Sequence, residues 1–327
     1  MKPIPSIAAV ASPENRPLWS VMIPVYRPNQ SFLEETVESV LRQDPGDIRM
    51  QIEIVDDHSP DDVAERVAAG TQGRVGLFRR PSNTGMAGNW NMCLERARGF
   101  WVHVLHQDDL VLPGFYQKLS EAIEAHPTLG AAYVQHYLID GAGDRKRLMS
   151  QNPAGIAGIV DEWLEYVFVQ LSFQTPSVVV RRAVYEDLGG FRKDLRYALD
   201  WDMWKRIAAS YPIWFEPEPL ACYRRHAAGA SMDFFASGGN MQEVRQSIEL
   251  SRTYLSPDVG RATATAAHRH YSDQAIDAAL HALFEWRNWR VARAQLREAR
   301  RFSVGGSLSR RVLRRARASV RRWMDDR

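Results

Sequence analysis

Short apolar segments alternate with helical patterns through the first half of this chain. Five segments rich in β-branched or aromatic residues predict strands at 21–25, 51–55, 75–78, 101–105 and 131–137. Helical patterns separate them near 31–43, 61–69, 87–98 and 114–126. This alternation predicts an α/β fold with a mainly parallel, twisted sheet and helices on both faces. In such a fold, ligands bind at the carboxyl ends of the strands.

Polar segments follow three of the predicted strands. Residues 24–28 follow the first strand, residues 56–59 the second, and Asp108-Asp109 the fourth. The turn after the first strand has neither the Gly-x-Gly-x-x-Gly pattern of a dinucleotide fold nor the Gly-Lys-Ser/Thr of a phosphate-binding loop. A nucleotide bound here therefore needs another source of positive charge for its phosphates.

Asp108 and Asp109 are candidates for a metal site. Two adjacent carboxylates at the end of a buried strand are unfavourable unless a positive group lies on them. Magnesium and manganese prefer hard oxygen ligands and keep substrate phosphates in their coordination shell. The alternative is that one of these residues caps the free N–H groups of the next helix.

Asp57 is a candidate for recognising a nucleotide base. Its carboxylate can accept the imide N–H of uracil, thymine or guanine, and leaving such a buried partner unpaired costs about 1 to 3 kcal/mol. The alternative is a turn in which Asp56 and Asp57 are structural and Ser59 or Asp61 caps the following helix.

Length and composition are those of a globular protein. The chain has 327 residues, 45% of them hydrophobic and 25% charged, which suffices for one large or two modest domains. It has no run of eighteen apolar residues, and the apolar segment 7–11 is too short for a signal peptide. Its two cysteines offer neither metal-binding spacing nor a disulfide framework. We therefore expect a reduced, cytoplasmic protein.

Four motifs in register extend this interpretation. They lie at residues 23–26, 55–59, 83–91 and 105–109. With its motifs in this order and spacing, the chain resembles family 2 glycosyltransferases. These have the GT-A fold, a Rossmann-like fold of nucleotide-diphospho-sugar transferases. The resemblance implies inverting transfer of a sugar from a nucleotide diphosphate sugar, with Mn²⁺ or Mg²⁺ at Asp108 and Asp109. His106 stands where the family often has a carboxylate, and we expect it to be structural or to support the ligands rather than to be one.

The same resemblance implies the donor contacts. Pro24 would lie at the nucleotide pocket, Asp57 would face the base, and Asn91 would lie on the helix behind the diphosphate. The nucleotide-sugar contacts implied in this way are Pro24, Val25, Tyr26, Asp57, Asn83, Gly85, Asn91, Asp108, Arg224 and Arg225.

Asp200 is the candidate catalytic base. Residues 198–206 predict the first turns of an amphipathic helix with Asp200 at its cap, where a carboxylate is both stabilising and open to a cleft. The position resembles that of the family's base, which takes a proton from the acceptor hydroxyl during attack on the anomeric carbon. Asp202 lies about 200 degrees further around the helix, so we expect it to be structural.

Residues 221–226 resemble the closing segment of many family members, in which a histidine joins the metal shell and a basic residue meets the leaving diphosphate. His226 would be this ligand, since imidazole combined with carboxylate oxygens suits manganese. The alternative is that His226 caps the end of a strand. The pattern leaves open whether Arg224 or Arg225 faces the diphosphate.

The chain becomes helical after about residue 238, with patterns at 241–254, 259–283, 286–302 and 308–324. Residues 287–327 contain fourteen arginines against three acidic residues. The last helix has an apolar stripe within an arginine-rich face, which is typical of a helix on an anionic bilayer and equally of one docked on the protein or on a dimer partner. Nucleic-acid binding is not expected, because no recognition motif accompanies the charge.

We therefore predict an N-terminal tail (1–17), a GT-A catalytic domain (18–235) and a helical C-terminal region (236–327) with a basic amphipathic tail. The predicted function is glycosyl transfer to a glycan or lipid-linked acceptor in cell-surface polysaccharide synthesis, by an enzyme peripheral to the inner face of the cell membrane. The alternatives are a non-catalytic scaffold that binds sugar nucleotides and a nucleotidyltransferase, which would need a glycine-rich first turn. Enzymatic function is favoured by four carboxylates: Asp57, Asp108, Asp109 and Asp200.

Overall fold

The structure, a computed structural model, describes residues 3–11, 15–149, 155–160, 163–171, 173–226, 231–302 and 307–325. The chain divides into two compact units. The first comprises 1–163 and 172–226, and the second comprises 164–171 and 227–327.

Within the described residues, the first unit forms one ten-stranded sheet. Its strands are β1 Trp19–Val25, β2 Met50–Asp56, β3 Gly76–Arg79, β4 Trp101–Val104, β5 Leu110–Val111, β6 Ala131–Ile139, β7 Arg145–Met149, β8 Gly158–Ile159, β9 Val178–Arg181 and β10 Ile213–Arg224. The strand order is β3-β2-β1-β4-β9-β6-β10-β5, with β7 paired to β6 and β8 to β10.

Helices follow the strands as the alternating pattern predicts. Those of the first unit are α1 Gln30–Leu41, α2 Val63–Gly70, α3 Met86–Arg96, α4 Phe115–Ala125, α6 Arg182–Leu188 and α7 Leu199–Ser210, with a 3₁₀ turn at Thr175–Ser177. Local sequence explains where they begin. For example, the side chain of Asn29 caps α1 by accepting a hydrogen bond from the backbone N–H of Phe32.

The predicted α/β class is confirmed, but four strands, β5, β7, β8 and β9, pair antiparallel with their neighbours. Strands β3, β2, β1 and β4 run parallel, and all seven residues of β1 are buried, as expected for a strand covered on both faces. Strand β9, however, is inserted antiparallel between β4 and β6. Because β2, β1 and β4 are neighbours, the loops that follow them lie side by side at one edge of the sheet.

The segment 140–158, which has no periodicity, contains a strand. Residues Arg145–Met149 pair antiparallel with β6 as strand β7. Four of these five residues are exposed, so the strand has no alternation of apolar and polar residues that would reveal it.

The N-terminal residues are part of the first unit rather than a separate tail. Ile7 is buried in its core. The carbonyl of Pro5 accepts a hydrogen bond from the N–H of Gly190 at 2.7 Å, and the guanidinium of Arg182 donates to the carbonyl of Ala8 at 3.1 Å. Residues 4–8 therefore support the turn that precedes α7.

The second unit is helical. Its helices are α5 Trp163–Val169, which begins one residue before the unit, α8 Ser231–Ser237, α9 Gly239–Ser251, α10 Pro257–Phe284, α11 Trp289–Arg301 and α12 Leu308–Asp325. The division falls at 226/227 rather than at the expected 235/236, because α8 packs with the later helices. One contact of this kind is the hydrogen bond from the side-chain amide of Gln295 to the carbonyl of Phe235, at 2.6 Å.

We predict that Ile7→Ala lowers the free energy of unfolding of the first unit by about 2 kcal/mol, because it removes buried methyl groups and leaves a cavity. Ile48→Ala is the matched control, since Ile48 is 84% exposed. Urea unfolding followed by circular dichroism measures both. Equal midpoints for the two variants would contradict the docking of the N-terminal segment.

Candidate active site

The candidate site forms where the end of β10 meets the loop that follows β4. Strand β10 pairs antiparallel with β5, which places Cys222 opposite Leu110. As a result, the backbone N–H of Arg224 donates to Asp109 Oδ1 at 2.8 Å, and Arg224 Nε donates to the carbonyl of Asp108, also at 2.8 Å. Residues 115 positions apart in the chain thus build one corner.

This corner contains a group that can hold a cation. Potential ligand atoms of His106, Asp108 and Asp109 lie within 4.8 Å of one another. His226 Nε2 lies 2.8 Å from Asp108 Oδ2, so His226 also reaches the group. Asp109 Oδ2 is buried, and among the described residues its near polar neighbour is the imidazole of His106. Two adjacent carboxylates, one of them buried, beside two imidazoles fit a divalent cation such as Mn²⁺.

His106 belongs to this group more closely than the sequence suggested. Its Nδ1 lies 3.2 Å from Asp109 Oδ2, and its ring packs against Trp90 with centroids 4.8 Å apart. Burial opposes protonation of His106, but the hydrogen bond and charge of Asp109, with the charges of Asp108 and Asp200, raise its pKa. Burial in turn raises the pKa of Asp109, whose ionised form His106 and the Arg224 N–H stabilise.

Asp200 lies in the first turn of α7 and not at its cap, which is Ala198. Its Oδ1 accepts a hydrogen bond from the N–H of Trp201 at 2.7 Å. Burial raises the pKa of Asp200 to about 6, while that hydrogen bond and the charge of His106 act in the opposite direction. A carboxylate with such a pKa is suited to accept a proton near neutral pH.

Asp202 has the structural role expected for it. It is fully buried and lies 3.0 Å from Arg206 Nε and 3.5 Å from Arg192 Nε. The guanidinium of Arg206 also donates to the carbonyl of Gly190. Asp202 therefore holds the arginine that fixes the turn before α7.

Asn91 holds the same turn. Its Nδ2 donates to the carbonyl of Phe191 at 2.8 Å, and its Oδ1 accepts from the N–H of Phe191 at 2.7 Å. A Cβ atom on Gly190 would lie 2.2 Å from Asn91 Oδ1. The structure thus shows Asn91 joining α3 to this turn, and a contact with nucleotide stays a prediction.

Asp57, expected to face the base, and the predicted nucleotide-sugar contacts Asn83 and Gly85 lie on neighbouring loops. Asp57 is buried and accepts hydrogen bonds from the backbone N–H groups of Thr84 and Gly85, and Arg80 Nε lies 3.2 Å from Oδ1. The Asn83 side chain accepts from the Gly85 N–H at 3.1 Å. The loop 83–85 is therefore folded onto Asp57, and base recognition by this carboxylate stays a prediction.

The first loop is tied to the metal-binding loop by a residue that sequence reasoning did not single out. Pro24 and Val25 end β1, and the N–H of the next residue, Tyr26, donates to Gln107 Oε1 at 2.9 Å. Gln107 Nε2 donates back to the carbonyl of Tyr26 at 3.3 Å. This reciprocal pair holds Tyr26 beside the carboxylates, and its signal in the sequence is the position of Gln107 directly before Asp108.

The structure distinguishes the two arginines that end β10. Arg224 is 3% exposed, and its guanidinium lies 2.5 Å from Glu35 and over the ring of Phe32. Arg225 is exposed, with its backbone N–H bonded to the carbonyl of Ile139. Arg224 therefore builds the corner, and Arg225 is the one whose side chain is accessible to a diphosphate.

Tyr223 is a further residue of the site. Burial raises the pKa of its hydroxyl, and the charges of Asp109, Asp108 and Asp200 raise it further. In the sequence, Tyr223 could have been found from its position next to Arg224 in β10. Successive residues of a strand point to opposite faces, so Tyr223 and Arg224 lie on opposite faces of β10.

Comparison with known proteins identifies the family. The family model described as glycosyl transferase family 2 matches residues 20–194. The chain belongs to this family. All but the first residue of β1, the loops after β2 and β4, and the turn of residues 189–191 lie within the matched residues.

The curated relatives include proteins of cell-surface glycan synthesis. An uncharacterised protein of Mycobacterium tuberculosis is 29% identical over 260 residues, which cover 76% of this chain and 80% of that protein. The O-antigen biosynthesis protein RfbC of Myxococcus xanthus is 26% identical over 240 residues, which cover 71% of this chain but 18% of that protein.

Solved structures confirm the GT-A fold. S. aureus TarS 1–349 in complex with UDP-GlcNAc has a TM-score of 0.62 and 18% identity, with 87% of each chain covered. The mannosyltransferase PcManGT from Pyrobaculum calidifontis, in complex with GDP-Man and Mn²⁺, has a TM-score of 0.57 and 20% identity, covering 91% of this chain and 89% of that one. At these identities the likeness concerns the fold.

Across the described residues, no helix is both long and apolar enough to cross a membrane.

We predict that Gly190→Ala lowers the unfolding free energy by about 1 to 3 kcal/mol, because the added methyl group displaces the Asn91 amide from its two buried hydrogen bonds. Gly70→Ala is the control, since a Cβ there meets nothing within 4 Å. Urea unfolding measures the difference. Unchanged stability of Gly190→Ala would contradict the clamp between Asn91 and Phe191.

Proposed function

We propose that this family 2 glycosyltransferase is an inverting, metal-dependent enzyme. It transfers a sugar from a nucleotide diphosphate sugar to a hydroxyl group of a glycan or lipid-linked acceptor in cell-surface polysaccharide synthesis. One observation carries the proposal. A group that fits a cation, formed by His106, Asp108 and Asp109, occurs together with a buried carboxylate of raised pKa, Asp200. The charge of Asp200 acts on His106.

Asp108, Asp109 and His226 would hold the metal, with His106 supporting Asp109. A divalent cation bound there neutralises the charge that develops on the departing diphosphate. Arg225 would add positive charge near the same phosphates.

Asp200 would act as the general base. Its carboxylate accepts the proton of the acceptor hydroxyl while the acceptor oxygen forms a bond to the anomeric carbon. The bond from that carbon to the diphosphate oxygen breaks on the opposite face, and its electron pair leaves with the diphosphate. One such displacement inverts the anomeric centre.

The relatives support the class of donor and the setting. The structures of TarS and PcManGT hold UDP-GlcNAc and GDP-Man, respectively, which favours a nucleotide diphosphate sugar here. A curated relative is named for teichoic acid biosynthesis, and RfbC for O-antigen biosynthesis, which favours a surface polysaccharide as the product.

We also propose peripheral association with an anionic membrane on its cytoplasmic face, through the basic C-terminal helices. Part of α12 is docked within the second unit, because Arg311 pairs with Asp273 and Arg315 with Asp277 on α10. Arg310, Arg314 and Arg317 are exposed on the other side of α12.

We predict that Asp200→Asn retains donor binding and lowers kcat by roughly 100- to 10,000-fold, because the amide cannot accept the proton. Calorimetry measures binding, and release of the nucleoside diphosphate measures turnover. Asp47→Asn, at an exposed loop position, is the control and should keep full activity. Normal turnover of Asp200→Asn would remove Asp200 from the mechanism.

We predict that kcat/KM falls about tenfold per pH unit below pH 6, because protonation of Asp200, with a pKa of about 6, removes the base. A pH profile at constant metal concentration measures this, and Asp200→Glu should move the acidic limb. An acidic limb near pH 4, the range of an ordinary exposed carboxylate, would contradict the raised pKa.

We predict that one class among UDP, GDP, dTDP and CDP sugars binds with Mn²⁺ present and loses at least tenfold in affinity when the metal is chelated. Calorimetric titration of the folded chain measures this, and Asp108→Asn should reproduce the loss with the metal present. Binding that is indifferent to chelation would contradict metal dependence. Failure of every donor to bind would overturn the donor site.

A further inference from the structure

The turn between α10 and α11 exposes a cluster of large apolar side chains. We define the hairpin tip as Leu283, Phe284, Trp286 and Trp289. Phe284 is 62% exposed and Trp289 is 59% exposed. Thirteen large hydrophobic residues are exposed in the described part of the chain, and four of them fall within these seven consecutive positions. Exposed apolar residues that cluster in this way mark an interaction surface.

Of the four tip residues, Trp286 packs edge-on against Phe235, with ring centroids 5.4 Å apart, and none belongs to the buried core of the hairpin. The two helices pack through a separate buried cluster of Ala279, Ala282, Val291 and Ala292. The Asn288 side chain caps α11 by accepting from the Val291 N–H at 3.2 Å. The tip is therefore presented by a packed hairpin with its own core.

Exposed arginines lie within and next to the tip along the chain, where they outnumber the one exposed carboxylate, Glu285. Arg287 lies in the turn, and Arg290, Arg293 and Arg297 follow on the exposed face of α11. In the part of the chain that the structure describes, Arg287, Arg290 and Arg293 form no ion pair with a carboxylate. Their charge is thus available to an external anion.

We infer that the hairpin tip docks on an anionic lipid bilayer, with Phe284 and Trp289 in the interfacial layer and Arg287, Arg290 and Arg293 over the lipid headgroups. Aromatic side chains favour the membrane interface, and each basic residue near an anionic leaflet adds attraction. This inference rests on the proposed membrane association and assigns it to a surface other than α12.

Charge favours a bilayer over a second copy of the chain as the occupant. A two-fold contact between two tips would place the arginines of one copy against those of the other, which is repulsive. An anionic leaflet instead offers negative charge next to an apolar layer, which suits exposed apolar side chains that alternate with exposed arginines along the turn.

The test is co-sedimentation of the full chain with vesicles of phosphatidylcholine alone and with vesicles about one third phosphatidylglycerol. The wild-type chain should bind the anionic vesicles at least tenfold better. Phe284→Ser/Trp289→Ser and Arg287→Gln/Arg290→Gln/Arg293→Gln should each lower the partition coefficient at least tenfold. The comparison variant, Arg310→Gln/Arg314→Gln/Arg317→Gln, removes the same charge from α12, the competing membrane surface, and should change the partition coefficient less than threefold if the tip is the contact.

The other outcomes overturn the inference in distinct ways. If the α12 variant loses binding and the tip variants retain it, the membrane contact lies on α12. Equal binding to both kinds of vesicle would remove the anionic lipid from the inference. If the wild-type chain binds neither, the membrane proposal fails, whereas sugar transfer to a water-soluble acceptor tests the enzymatic proposal separately.

A second measurement does not depend on the folding of a multiple variant. Brominated lipid in the anionic vesicles should quench part of the tryptophan fluorescence, and the conservative variant Trp289→Phe should bind as the wild type does while losing part of that quenching. Quenching that Trp289→Phe leaves unchanged would overturn the insertion of Trp289.

Discussion

The candidate metal site depends on one buried arginine. Arg224 donates through its backbone N–H to Asp109 and through its side chain to the carbonyl of Asp108, while its guanidinium lies against Glu35. A buried charge is tolerated only when it is paired and hydrogen-bonded, and here each partner is a part of the site or of the helix beside it. The geometry of the Asp108-Asp109 corner therefore depends on the antiparallel pairing of β10 with β5.

A second set of contacts places the candidate base. Asn91, Arg206 and the carbonyl of Pro5 all bond to the short turn of residues 189–191. These three contacts come from α3, α7 and the N-terminal segment, so the turn is fixed from several directions. Helix α7 begins eight residues after this turn and carries Asp200 in its first turn. Contacts made at the turn, away from Asp200 itself, thus help to place the candidate base.

Environment gives two neighbouring carboxylates different roles. Asp202 is buried between Arg192 and Arg206, which tie it to the scaffold. Asp200 is buried, and desolvation raises its pKa to about 6 against the opposing hydrogen bond from the N–H of Trp201. The same division of roles between paired carboxyl groups is a general means of obtaining a base that works near neutral pH.

Local patterns in the sequence determine much of this protein. The periodicity of the apolar residues specifies the strands and helices of the first half, and the position of Asp108-Asp109 after β4 and of Asp200 at the start of α7 follows from it. The tertiary structure decides what depends on distant contacts. Asn91 meets Phe191 100 positions away, and Arg224 rather than Arg225 turns inward because β10 pairs with β5. Strand β9 enters antiparallel and the N-terminal segment packs on the turn before α7 for the same reason. Such contacts form between segments far apart in the chain, and no local periodicity encodes them.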